Sequence, residues 1–345
     1  MTVKPENGDR NNSMDTPLPR PRIAVIGAGI SGLCLSRALT EHGLDVVVFD
    51  KARGPGGRMS TRRSPTGHAF DHGAQFFTAH TPAFKAQVAR WRDLGVVARW
   101  EGRFATVRPD GLTPEPPGRL RHVGAPRMST LTRHLSSGLD LRTSTRIAAL
   151  NREAASWTLT TTEGATHGPF TAVLSTAPAP QTAPLLAPHS PILAQRAESA
   201  TMLPCFCLML AFDTPLPVDF DAAEVHASPL RWIAQNSSKP GRLSNDCWVL
   251  HADAAWSHRH LNDEPASVQQ AMLTAFWEIT GNSTPVWASL HRWRYALAMT
   301  PDSGPPFLWD PALGLGAAGD WLVGGRVESA WRSGMALADA VLDGL

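Results

Sequence analysis

Lysine is scarce in this chain. Of 32 basic residues only Lys4, Lys51, Lys85 and Lys239 are lysine, and Tyr295 is the one tyrosine. No stretch approaches the ~18 consecutive apolar residues of a membrane span, so no membrane partner is expected. The net charge of +2 carries no basic excess of the kind a nucleic-acid partner demands. Cysteine is limited to Cys34, Cys205, Cys207 and Cys247. Cys205 and Cys207 share one face of an apolar run, but no second ligand pair stands at a metal spacing. They read as core thiols, and no metal site is expected. Residues 1–21 are polar and proline-rich with no apolar run behind their charges. They read as a disordered leader rather than a signal peptide, which implies reduced thiols and a cytoplasmic location.

What the chain does have is concentrated in residues 23–63. Ile23-Ala24-Val25-Ile26 is a short apolar strand, Gly27-Ala28-Gly29-Ile30-Ser31-Gly32 a glycine-rich turn, and a helix then runs to His42. A second strand, Val46 to Phe49, ends on Asp50, 23 residues after Gly27. This is a β-α-β unit built for a dinucleotide. Gly27 permits the tight turn, Gly29 lets backbone approach a diphosphate at the helix N-terminus, and Gly32 lets helix and sheet pack closely. Asp50 stands where a carboxylate takes the ribose hydroxyls. A second glycine-rich loop follows at once, Lys51-Ala52-Arg53-Gly54-Pro55-Gly56-Gly57-Arg58, and such a loop is costly to order without a ligand.

That second loop resembles the flavoprotein amine oxidase superfamily, where it touches the FAD diphosphate again. Three further stretches carry the same resemblance. Phe70-Asp71-His72-Gly73-Ala74-Gln75-Phe76 resembles the strand that passes the flavin. Thr145 to Leu150 resembles the strand whose backbone serves the adenine side, at Ile147. Gly319-Asp320-Trp321, followed by a helix from Arg326, resembles the third FAD signature. The resemblance implies FAD held non-covalently by Gly27, Gly29, Ile30, Gly32, Asp50, Lys51, Arg53, Gly57, Arg58, Ala74, Gln75, Ile147, Asp320 and Val327.

The implied fold is α/β (α+β overall), with a Rossmann-type FAD-binding domain and a second, antiparallel-sheet substrate domain. It is the architecture of p-hydroxybenzoate hydroxylase and the amine oxidases. Residues 22–80, 124–199 and 305–345 are assigned to the first domain, and 81–123 and 200–304 to the second. In the second, strands are expected at Cys205–Phe212, Leu230–Ala234, Cys247–Ala252 and Ala288–Tyr295. A helix over 265–279, capped by Asp263, stands among them, with Val268, Met272, Ala275 and Ile279 inward. Most of its tryptophans are expected in the core.

Within the superfamily the Ser-Lys-Pro-Gly-Arg turn at 238–242 and the Gly-Asp-Trp ending resemble bacterial renalases. That resemblance implies an oxidase of misreduced NAD(P)H isomers, the 2- and 6-dihydro forms. NAD(P)⁺ and hydrogen peroxide would be the products, with oxygen as partner. One tyrosine leaves no tyrosine pair to cage an amine. Lys239 reads as a turn residue at a pocket edge, so the lysine that amine oxidases keep near the flavin is expected to be absent. The substrate residues proposed on this reading are Gln75, Phe76, Pro204, His251, Arg292, Tyr295 and Trp321, and none is assigned as an acid or base. An amine or amino-acid oxidase, a desaturase of apolar substrates, and a non-enzymatic flavin scaffold stay open as alternatives.

Overall fold

A computed structural model of the chain describes residues 21–243, 246–299 and 303–344. Residues 1–20 of the expected leader lie outside them. Two large sheets organise the molecule. The first has six strands in the order Phe307–Asp310, Leu315–Ala318, Ala172–Ser175, Arg22–Ile26, Asp45–Phe49 and Asp140–Arg142. Its pairs are parallel except the one made by the edge strand Phe307–Asp310. The four strands inside its edges are buried along nearly their whole length, which is why they read as continuous apolar runs. The first helix, Ile30–Glu41, and the closing helix, Val327–Asp343, pack on one face of this sheet with Leu33, Leu337 and Val341 between them.

The second sheet has seven strands, ordered Trp287–Ala298, Met202–Phe212, Asp246–Ala252, Leu230–Gln235, Ala222–Val225, Phe104–Arg108 and Gly111–Pro114. One of its faces is covered by the helix Pro265–Thr280, through Val268, Met272, Ala275 and Phe276. Its other face receives Phe70, which meets Cys207, Met209 and Val249. The chain is thus a mixed α/β structure with a Rossmann-like nucleotide unit and a large, mostly antiparallel sheet. All four strands expected in the second half are present, two of them to within a residue of their ends; the first begins earlier, at Met202, and the last runs on to Ala298.

Several expectations fail locally. The helix Pro265–Thr280 takes Glu264 as its cap residue without a side-chain bond, while Asp263 is 2.7 Å from His260 Nδ1. Proline at the first helical position removes one of the free N–H groups at this helix start. Of the six tryptophans between 232 and 293, only Trp248 is fully buried; Trp232, Trp256, Trp277, Trp287 and Trp293 are partly buried and pack against the edges of the core clusters. Trp287 and Trp293 lie on an edge strand, where one neighbour is missing. The strands Gly111–Pro114 and Ala222–Val225 were not anticipated. Both are only four residues long; the first is exposed throughout, and the second, though buried, is too short for a periodicity to show.

Candidate functional site

The nucleotide end is built from backbone. Gly27 has φ +113°, a conformation that side chains disfavour, and it turns the chain from the first strand into the first helix. A methyl at Gly32 would run into the Gly27 carbonyl and the Thr176 hydroxyl. A methyl at Gly29 would meet nothing within 4 Å. Gly32 is therefore required for packing, whereas Gly29 borders open space at the helix start. That helix has no side-chain cap and no acid in its first turn, so its free N–H groups are available to an anion. The second loop closes over the same point. Gly56 N donates to Ala28 O at 2.8 Å, and a Cβ on Gly57 would lie 3.5 Å from the Gly29 Cα. Gly57 thus packs close to Gly29, and the side of Gly29 that a Cβ would occupy is left open at the helix start, which fits a diphosphate there.

Asp50 is aimed into this turn. Its carboxylate accepts from Ala28 N and Ala52 N, both at 2.7 Å, and each oxygen retains a lone pair for a hydroxyl. Lys51 and Arg53 are exposed, and Lys51 Nζ bonds Gln181 Oε1 at 3.1 Å. Ile30 is buried at the helix start, and Ile147 is buried in the core beneath the second strand. Arg58 ties the loop to the chain's end. Its guanidinium forks onto Asp320 at 2.6 and 2.7 Å and also donates to Ala296 O at 3.1 Å. Asp320 is 3 % exposed, so this pair is a fixed element of the site. Just beyond it, Val327 opens the closing helix, again without a side-chain cap. Ala74 N donates to Arg58 O at 2.7 Å, which brings the 70–76 stretch against the same loop.

The 70–76 stretch crosses the second sheet. Trp232, His251, Cys207 and His291 stand in register on four adjacent strands and so line one face. The His72 carbonyl lies 3.1 Å from His251 Nε2 and accepts from Trp293 Nε1 at 2.9 Å. Burial, reinforced by the charges of its neighbours, pushes His72 down to about 3. Burial likewise takes His251 to about 4, although the His72 carbonyl opposes it. Both rings are neutral at pH 7.

Behind Gln75 lies a buried charge cluster. Asp71 is fully buried. Its carboxylate accepts from Thr61 Oγ1 at 2.7 Å, Met128 N at 3.0 Å and Arg242 Nη2 at 2.5 Å. Lys239 Nζ lies 3.7 Å from it and donates to Gln75 Oε1 at 3.0 Å and Asn236 Oδ1 at 3.1 Å. Gln75 Nε2 donates to the carbonyls of Asp71 and Gly73, so its amide is locked. Burial would raise the Asp71 pKa, but Lys239 and Arg242 outweigh it and hold the carboxyl below its usual range. Burial lowers Lys239 to about 7, against the opposing pull of Asp71. The expectation of a turn lysine at a pocket edge is corrected here: Lys239 is 2 % exposed and is bonded to Gln75. Its place beside Ser238, Pro240 and Gly241 suggested a surface turn; Asp71, far off in sequence, draws it inward.

An aromatic wall stands beside the cluster. The Phe76 ring is 5.3 Å from Trp232 and 6.4 Å from Trp100. Trp232 Nε1 is buried and has no partner among the described residues. Cations surround this wall: Arg121 lies 5.0 Å over Phe76, Arg119 5.9 Å over the same ring, and Lys239 5.1 Å over Trp100. Arg121 is paired with Glu115. Trp100, Arg119 and Arg121 had no signal in the sequence, because they come from short pieces of the 81–123 excursion. Two other expected substrate residues go elsewhere. Arg292 registers with Phe206 on the helix-covered face and donates to Leu261 O at 2.6 Å. Trp321 is 2 % exposed in the core and donates to Ala177 O at 3.2 Å. Both positions alternate or fold away from the side the sequence suggested. Pro204 is buried at a bulge of its strand, and Tyr295 is half-buried on the edge strand. Among the described residues no cluster of three or more His, Cys, Asp or Glu could hold a metal, and no helix is long and apolar enough to cross a membrane.

The family model described as flavin containing amine oxidoreductase matches residues 113–342, and the NAD(P)-binding Rossmann-like domain model matches 25–91. A hydroxyneurosporene desaturase of Rubrivivax gelatinosus is 37% identical over 112 residues, covering 28% of this chain and 21% of that protein. The tRNA 5-methylaminomethyl-2-thiouridine biosynthesis bifunctional protein MnmC of Magnetococcus marinus is 29% identical over 214 residues, 50% of this chain and 32% of that one. The chain therefore spans no more than a third of the length of these curated relatives. Among solved structures, the cyclohexylamine oxidase of Brevibacterium oxydans superposes with a TM-score of 0.73 at 13% identity, covering 94% of this chain and 99% of the other. A reduced UDP-galactopyranose mutase gives 0.75 at 12% identity, with 94% of each chain covered. At such identities these likenesses speak for the fold alone.

Proposed function

The chain belongs to the family of flavin containing amine oxidoreductases, and from that premise we propose that it is a renalase-type, FAD-dependent oxidase of misreduced NAD(P)H isomers. FAD would be held non-covalently by the two facing glycine loops, Asp50, the Arg58–Asp320 pair and the start of the closing helix. The elements around the six-stranded sheet carry the cofactor in this reading, and the seven-stranded sheet carries the substrate. When bound, the flavin supplies a hydride acceptor at N5 and a route for electrons to oxygen, with hydrogen peroxide as product.

The observation that carries the choice of substrate is the charge around the aromatic wall. Phe76, Trp100 and Trp232 suit a flat ring, and the groups over them are Arg119, Arg121 and Lys239. Arg121 is paired with Glu115 and Lys239 lies beside Asp71, so the unpaired cation among the described residues is Arg119; it disfavours an ammonium group at the wall and favours a substrate that carries negative charge. Gln75, its amide locked by Asp71, Gly73 and Lys239, is a rigid polar group that precedes Phe76 in the chain. No base is required, since a dihydropyridine that loses hydride becomes an aromatic cation directly. The protein's task is to orient the donor carbon and exclude water.

Anaerobic mixing of the yellow protein with each donor class tests this. The 2- or 6-dihydro isomers of NAD(P)H should bleach the flavin, and putrescine and cyclohexylamine should not. Bleaching by either amine, with the dihydro isomers inert, would overturn the reading in favour of an amine oxidase.

A further inference from the structure

The turn Asn236–Ser238 and the lysine after it reach every ring of the aromatic wall. Trp232 lies on the strand Leu230–Gln235, which runs into this turn. Ser238 Oγ accepts from Trp100 Nε1 at 3.1 Å and donates to Gln235 O at 2.8 Å. Lys239 Nζ lies 5.1 Å over the Trp100 ring and donates to the oxygen of Gln75, the residue before Phe76. Asn236 holds the start of the same stretch: its oxygen accepts from Asp71 N at 3.3 Å, and its amide donates to Ala69 O at 2.9 Å. Ion pairing alone does not account for the buried lysine. Asp71 is already served by Arg242, Thr61 and Met128, and burying a further amine is costly.

Gln75 links the lysine to the site. Both N–H groups of its amide are taken, by Asp71 O and Gly73 O, and the side chain is 6 % exposed. It therefore has no donor left for a substrate; its bonds close a ring on its own backbone. Within that ring Ala74 N donates to Arg58 O in the second glycine loop at 2.7 Å, and a Cβ on Gly73 would run into the same carbonyl. Residues 73–76 thus carry both the contact to the flavin loop and one ring of the wall. Without Lys239 the Gln75 oxygen loses its donor, and the amide is free to turn and release the two carbonyls. We infer that Lys239 is a positioning residue for the oxidation: through Gln75 and Trp100 it holds residues 73–76 and the aromatic wall in one geometry, and it touches neither flavin nor donor. The inference rests on the flavin site described above, and on the dihydronicotinamide reading only for the donor used in its test. A hydride donor must lie about 3–3.5 Å from its acceptor, and a displacement of about 1 Å can cost a hundredfold in rate. Asp71, Arg242, Cys207 and His251 are the titratable groups around Lys239. Its two bonds to Gln75 and Asn236 need two N–H groups, which the amine keeps whether charged or neutral. The positioning should therefore not depend on pH.

The test pairs stopped-flow flavin reduction at saturating 2- or 6-dihydro-NAD(P)H with visible circular dichroism of the bound FAD, which needs no donor. Lys239→Met removes the donors and leaves an unbranched side chain in their place. It should slow flavin reduction at least about tenfold, by the same factor at pH 6 and pH 9, and it should alter the FAD dichroism. Gln75→Met should do the same. The double variant should be no slower than the slower single variant, because the two side chains act as one unit. Effects that multiply in the double variant would overturn the linkage through Gln75. A lowered melting temperature with the rate and dichroism of the parent would make Lys239 a packing residue and overturn the proposal. If the dihydro isomers leave the parent flavin oxidised, the substrate reading falls, and the dichroism of the three variants then decides the role of Lys239. Should Lys239→Met fail to fold, Gln75→Met, which leaves Asp71, Lys239 and Arg242 in place, must show both changes for the proposal to hold.

Discussion

Single residues divide into those whose chemistry is readable from neighbours in sequence and those defined by distant partners. Gly27, Gly29, Gly32 and Asp50 belong to the first kind, because a turn, a helix start and a strand end are local events. Lys239 belongs to the second. Its role depends on Asp71 and Gln75, more than 160 positions away. Two predictions follow from these residues. Asp50→Ala and Asp320→Ala should each weaken FAD retention about ten- to a hundred-fold, the loss of a charge-assisted bond worth roughly 1.5–3 kcal/mol. Asp320→Ala should be the worse folded of the two, since it strands the Arg58 guanidinium. Equilibrium dialysis of the released flavin measures the first effect and thermal melting the second. For Lys239, the folded pKa of about 7 lies below the ordinary 10.5. Between those values the unfolded chain holds a proton that the native chain has lost, so stability should rise as pH climbs from about 7 toward 10. Urea midpoints at pH 7.5 and 9.5 should show that rise in the parent and lose it in Lys239→Met. An identical rise in both proteins would place the titration elsewhere.

At the scale of elements, what joins the molecule is a set of carboxylates and carbonyls that reach between strands and helices. Glu328, in the first turn of the closing helix, accepts from His80 N and Thr81 N at 2.8 Å each and from Thr81 Oγ1 at 2.6 Å. Thr81 caps the helix Pro82–Asp93, so Glu328 fixes that helix start against the closing helix. Burial alone would raise the Glu328 pKa, but these donors outweigh it and hold it low. Glu328→Ala should cost about 2–4 kcal/mol, because it leaves three donors unmatched in a half-buried place. A melting temperature within a degree of the parent would refute that role. Elements were the most legible level of the sequence. The β-α-β unit and the long strands of the second half carry apolar runs that only buried strands need. The two four-residue strands, the inward turn of Lys239, the turn of Arg292 to the helix-covered face and the burial of Trp321 in the core were not legible. Strand register and tertiary pairing decide those, and neither leaves a local pattern.

For the whole molecule, the contact between the 70–76 stretch and the second sheet sets the acid limit. His72 and His251 are held neutral, with pKa values of about 3 and 4 against an ordinary 6.5. Below pH 6.5 the unfolded chain gains protons that the native chain refuses, so stability should fall steadily as pH drops toward 4. Thermal melting at pH 7.5 and 5.0 should show a clear loss, and His72→Gln should reduce it. The same contact brings Gln75, the aromatic wall and the flavin-binding loops into one site, and the central claim concerns what that site oxidises. The most direct measurement is the anaerobic flavin-reduction rate at saturating 2- or 6-dihydro-NAD(P)H, followed by stopped flow from about pH 6 to 9. A donor that gives up hydride from carbon, with no proton to lose first, predicts rapid bleaching at a rate that changes less than about threefold. Lys239 titrates in this range but is buried behind Gln75 and Trp100 and takes no proton from the donor, so it should produce no larger change. No bleaching, or a tenfold or greater rise with pH, would contradict the account and point to a donor that must be deprotonated first.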